Sequence, residues 1–129
     1  MQVEKLADIA VAAAEAAGAS YADARWVRRR RQAIGVKNGG VDEMIFGEGA
    51  GLGVRVIADG AWGFASTSVL TEDAARQAAS EAVEIARAAA PTVPAPVALA
   101  PVVPAVAEVA SWATVDPFAV PAAEKLDLL

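Results

Sequence analysis

Residues 51–66, GLGVRVIADGAWGFAS, constrain the fold more than any other stretch of this chain. Leu52, Val54 and Val56 alternate with Gly53, Arg55 and Ile57, Asp59-Gly60 interrupts the run, and Trp62 and Phe64 alternate on the return. Period-two spacing around an Asp-Gly pair predicts two antiparallel strands joined by a tight hairpin turn. The same alternation sends Arg55 away from its flanking valines, which makes it a candidate functional charge on the outer face of a sheet. Trp62 and Phe64 share one face of the returning strand and read as core. On an open face they would instead form a platform for an extended peptide or a partner domain, with Trp62 as a contact residue.

The flanking elements follow from local signals. Val3, Leu6, Ala10, Ala13 and Ala17 recur at helical spacing, and Gly18 supplies the left-handed residue on which helices often end. Residues 21–38 read as a strand anchored by Trp26, Val27, Ile34 and Val36, and Asn38-Gly39-Gly40 is a turn signal. Residues 41–46 read as a further short strand. Gly47, Gly49, Gly51 and Gly53 read as a mobile connector or bulge between it and the hairpin. Thr71 has N-cap chemistry, with Glu72 and Asp73 suited to the positive end of a helix dipole. Alanines at 75, 78, 79, 82 and 86 give that helix one small-residue face, and Pro91 stops it.

The predicted fold is therefore α/β of the α+β type: a four-stranded, largely antiparallel meander with two helices packed on one face. A Pro-rich extended segment and the start of a further helix follow. Residues 1–90 are the expected domain and residues 91–111 a Pro/Ala/Val-rich linker. Residues 112–129 open the next segment, with residues 112–118 as a short edge strand. The final helix runs out at Leu128 and Leu129 without a cap, so the chain is expected to continue.

Composition decides mainly what chemistry is excluded. The 129 residues contain no histidine and no cysteine. Disulfides, thiolate chemistry and the usual zinc donors are thereby removed, as is the usual general base near neutral pH. A net charge of -5 argues against a general affinity for nucleic acid or an anionic membrane. The four consecutive arginines from Arg28 to Arg31 do not reverse that reading, because a strand sends Arg28 and Arg30 to one face and Arg29 and Arg31 to the other. They read as solvated strand positions, with Arg28 and Arg30 as candidate contacts to a partner. The glycine series lacks the spacing of a phosphate loop, and neither Asp42-Glu43 nor Glu72-Asp73 has the spacing of a calcium loop. No secretion signal precedes the first helix, so a cytoplasmic location is expected.

Several segments taken in order resemble one family. They are residues 18–25 (GASYADAR), Val36-Lys37-Asn38-Gly39 with Val41-Asp42-Glu43, Gly53-Val54-Arg55-Val56 through Gly60-Ala61-Trp62-Gly63-Phe64-Ala65, and Leu70-Thr71 opening a helix. Together they resemble the N-terminal domain of the TldD/PmbA family, known for zinc-dependent metallopeptidases. The likeness extends to Asp116-Pro117-Phe118 with Val120-Pro121 and Glu124-Lys125. It implies a parent peptidase whose His-Glu-x-x-x-His helix lies outside these residues, so no catalytic, cofactor or metal residue is assigned here. Zinc is expected in the full-length parent if that parent is of the active branch. The implied partners are a C-terminal metallopeptidase domain, a second family member in a homo- or heterodimer, and an unfolded peptide substrate. The expected role is to help form the dimer and wall the peptide cleft, with this chain inactive alone. A non-catalytic binding or assembly module, as an inactive PmbA-like branch or a stand-alone domain, is the alternative.

Overall fold

A computed structural model describes residues 3–129. Its elements in chain order are α1 (Val3–Ala16), β1 (Tyr21–Lys37), β2 (Gly40–Ala58), β3 (Ala61–Thr67), α2 (Glu72–Ala89), a 3-10 turn (Ala90–Thr92) and α3 (Ala122–Leu126). The strands form one sheet in the order β1-β2-β3. The chain separates into two compact units. One takes the residues up to Arg29 together with Gly49–Ala100, and the other takes Arg30–Glu48 with Pro101–Leu129.

In the first unit β2 and β3 pair antiparallel from Leu52↔Thr67 to Ala58↔Ala61. Asp59 and Gly60 close the hairpin with φ of 51° and 79°, and Asn38 and Gly39 do the same between β1 and β2 with 51° and 77°. Positive φ at both central residues is what a two-residue turn needs to match the twist of its strands. Both turns are those expected from the sequence.

The α+β class and the two helices on one sheet face hold, but among the described residues the sheet has three strands, not four. Residues 41–46 and the expected glycine connector belong to one continuous strand, β2. Glycine weakens a strand but does not end one, and here the ladder and the neighbouring side chains carry it through. A Cβ at Gly53 would stand 3.1 Å from the Phe64 ring, so the aromatic covers the backbone that the glycine leaves bare.

The core lies between the sheet and the helices. Leu52, Val54, Val56 and Ala58 from β2 and Ala65 from β3 meet Leu6, Ala10 and Ala14 of α1 and Ala75, Ala78, Ala79, Ala82, Val83 and Ala86 of α2. Alanine faces let the backbones approach closely. At Gly63 the approach is closest, where an added Cβ would lie 1.9 Å from the Ala82 carbonyl oxygen. That contact explains why Trp62 and Phe64 are not core, contrary to expectation. The helix-facing positions of β3 are taken by Ala61, Gly63 and Ala65, and the aromatics point the other way, 37% and 58% exposed.

The ends of the helices are tied locally. Thr71 Oγ1 accepts a 3.2 Å bond from the Ala74 amide, which is the expected N-cap. Lys5 Nζ donates to Glu72 Oε1 at 2.7 Å, joining the start of α1 to the start of α2. Arg87 donates to the Ala17 carbonyl at 2.7 Å, next to Gly18 at φ 96°, and so joins the two C-terminal ends. Beyond α2, the Val97 amide donates to the Gly60 carbonyl at 2.8 Å, and Pro96 lies against that glycine.

In the second unit, the Arg30 guanidinium lies 4.4 Å from the centre of the Phe118 ring and 3.7 Å from Asp116. Lys125 Nζ donates to Gln32 Oε1 and to the Pro117 carbonyl. Residues 112–118 form no strand. Asp116 Oδ1 accepts the Phe118 amide at 2.9 Å, and the Ala119 amide donates to the Asp116 carbonyl. Such a side-chain-closed turn bends the chain where an edge strand was expected. The start of the expected final helix is present as α3. Among the described residues no helix is long and apolar enough to cross a membrane.

Candidate functional site

The sheet face away from the helices carries the polar and aromatic chemistry of the first unit. On β1, Ala22 and Ala24 pack toward the core, so the alternation turns Tyr21, Asp23, Arg25 and Val27 outward. On β2 the buried Val54 and Val56 leave Gly51, Gly53 and Arg55 on that outer face. On β3 it receives Trp62, Phe64 and Ser66.

Arg55 is the hub. Its Nε and Nη2 donate to Asp23 Oδ2 at 2.8 and 2.7 Å, and Tyr21 donates its hydroxyl to the same oxygen at 2.9 Å. The guanidinium lies 4.9 Å from the Trp62 ring centre, within cation–π range. Tyr21 meets Trp62 edge to face, with centroids 6.0 Å apart and planes at 89°. The hydrogen bond to Asp23, and then the charge of Asp23, raise the Arg55 pKa further above its already high value. The side chain therefore stays cationic at every pH at which the protein works. Two ring systems and a two-bond ion pair hold its direction.

The Asp23–Arg55 pair lines one end of a groove of about 530 Å³, with Gly51 and Gly53 in its lining between Arg25 on one side and Phe64 and Ser66 on the other. The two glycines form part of its floor, and the space a side chain would take at each is already filled by β3. A Cβ at Gly51 would stand 3.2 Å from the Thr67 carbonyl oxygen and one at Gly53 would press on Phe64. The groove offers two guanidinium groups, the Asp23 carboxylate that one of them binds, an aromatic ring and hydroxyl groups, an arrangement suited to binding an extended chain. The residues do not fit a zinc site. Histidine and cysteine are absent from the sequence, and among the described residues no three acidic side chains are grouped to hold a metal ion.

Of the sequence-predicted contact residues, the structure brings Arg55 and Trp62 together. Arg28 and Arg30 lie elsewhere. Arg28 is exposed on β1, and its distance from Arg25 is an odd number of residues, which places it on the opposite strand face. Arg30 belongs to the second unit and stacks on Phe118. Sequence reasoning missed Tyr21, Asp23 and Arg25. Their signal was the alternation of large polar residues with Ala22 and Ala24, the period-two pattern of a half-buried strand.

The family model for PmbA/TldA metallopeptidase domain 1 matches residues 22–86, half of the chain. That span contains β2, β3, most of β1 and most of α2, and with them every groove residue named above. No curated protein matches the chain.

Proposed function

This chain belongs to the PmbA/TldD metallopeptidase family, residues 22–86 being the family's first domain, and from that premise we propose that it is a peptide-guiding domain. It holds an extended polypeptide on its outer sheet face and helps form the dimer, while hydrolysis is performed at a zinc centre in another domain or another family member. The observation that carries the reading is the groove along Gly51 and Gly53, flanked by the Arg55–Trp62 cluster. The groove has room for an extended backbone between the side chains of β1 and β3, and the fixed guanidinium and indole supply side-chain contacts. The chain's own residues bind and orient, and they contribute no acid, base or metal ligand.

The test uses fluorescence anisotropy with labelled, unfolded casein. The wild-type chain is expected to bind, and Arg55→Ala and Trp62→Ala are each expected to weaken binding several-fold with the circular dichroism spectrum unchanged. In an active peptidase that carries this domain, the same substitutions should lower peptide turnover. Unaltered binding and turnover in both variants would overturn the reading. Absence of casein binding together with concentration-dependent self-association would favour an assembly module instead.

A further inference from the structure

The groove carries one positive charge beyond the ion pair in its own lining. Asp23 is engaged by Arg55 through both guanidinium bonds and by the Tyr21 hydroxyl, all on Oδ2. Arg25 also lines the groove and is exposed, and it makes no ion pair or side-chain hydrogen bond with any described residue. In a chain of net charge -5, one guanidinium held over a groove without a counter-ion is a local reversal of sign. Opposite it stands the Phe64 ring, 58% exposed although its neighbours Gly63 and Ala65 are buried.

We infer that the groove selects an extended peptide in which a carboxylate side chain adjoins an apolar one, Arg25 receiving the carboxylate and Phe64 the apolar neighbour. This rests on the peptide-guiding reading above and adds its specificity. Successive side chains of an extended chain point in opposite directions. A peptide lying along the groove therefore directs one side chain toward β1 and the next toward β3. The two outer strands stand about 10 Å apart across β2, which leaves the peptide backbone between Arg25 and the exposed edge of Phe64. Asp23 cannot serve as the counter-charge, because Arg55 already neutralises it. A cationic peptide residue at that position would meet the like charge of Arg25 with Asp23 already paired to Arg55.

The experiment compares two labelled hexapeptides, one with a glutamate between two valines and one with glutamine in its place, by anisotropy against the full chain. The glutamate peptide is expected to bind about three- to fivefold more tightly, the size of an exposed ion pair. The preference should fade when salt is raised to about 1 M. Arg25→Gln should remove the preference and Arg25→Glu reverse it in favour of a lysine peptide, while Arg25→Lys retains it. Asp23→Asn, which releases Arg55, should strengthen it. Phe64→Ala should weaken both peptides alike. Equal binding of the two peptides to the wild type would overturn the selectivity and leave the groove as a general peptide site. Binding of neither peptide, with casein still bound, would overturn it as well. Failure to bind casein would remove the underlying reading too.

Discussion

Replacing Gly63 by alanine should unseat α2 from the sheet, although the change adds a single methyl group. A Cβ at that position would lie 1.9 Å from the Ala82 carbonyl oxygen, 2.7 Å from the Ala86 nitrogen and 2.9 Å from the Ala86 Cβ. Two of these are backbone atoms, so no rotamer change relieves them. The helix must withdraw by more than about 1 Å to restore an ordinary contact, and a gap of that size forfeits roughly half the dispersion of the groups it separates. Those groups include Ala75, Ala78, Ala79, Ala82, Val83 and Ala86. Overpacking of a filled core costs about 1–3 kcal/mol when side chains can adjust. Here they cannot, and a loss of about 3 kcal/mol is expected, roughly a hundredfold in the folding equilibrium. The assay is urea unfolding followed by far-ultraviolet circular dichroism, with a melting point lowered by roughly 15 °C as a second measure. Gly49→Ala is the control. Its Cβ meets nothing within 4 Å, and it should leave stability unchanged or raise it by about 0.5 kcal/mol. A Gly63→Ala protein within about 1 kcal/mol of wild type would refute the close-packing argument.

Thr71→Ala removes the acceptor of the Ala74 amide and should cost about 1 kcal/mol by urea unfolding. Gly60→Ala places a Cβ on a residue at φ 79° and 3.0 Å from Pro96. It should cost about 1–2 kcal/mol, and hydrogen exchange should show the Val97 amide opening toward solvent. Hydrogen bonds from Lys5 and then Arg76 hold the Glu72 carboxyl below its ordinary pKa. A depressed carboxylate stabilises the fold above its unfolded pKa, and that contribution disappears as pH falls through the folded value. Glu72→Gln should therefore melt below wild type at pH 7, with the two melting points converging as pH falls below the ordinary carboxylate range. A constant offset across that range would remove the ion pair as the cause.

What the sequence disclosed was local. Asp59-Gly60, Asn38-Gly39, Gly18 and Thr71 each act within a few residues, and each occupies the conformation or cap its chemistry requires. Arg55 was legible for the same reason, since two inward valines leave one direction for the residue between them. Its partner was not. Asp23 lies 32 residues away, and only the pairing of β1 with β2 brings it near. The facing of Trp62 and Phe64 was decided at long range as well. Hydrophobicity assigned the aromatics to the core, but Gly63 and its alanine neighbours fit beneath α2 more closely than any large side chain. Glycines 47 to 53 read as a connector because propensity penalises them one at a time. A strand paired along its length tolerates the penalty, most visibly where Phe64 covers Gly53.

The alanine core has a thermodynamic consequence. Alanine loses no rotamer freedom on burial, so ordering this core costs backbone entropy with little added from side chains. Its gain is small for the same reason, since a methyl group removes little apolar area from water. Folding here is a balance between two reduced quantities. Both the heat-capacity change and the urea dependence of unfolding scale with the area exposed. The α1–α2–sheet unit should show smaller values of each than a leucine-rich domain of equal length, and a broader melting transition at the same midpoint.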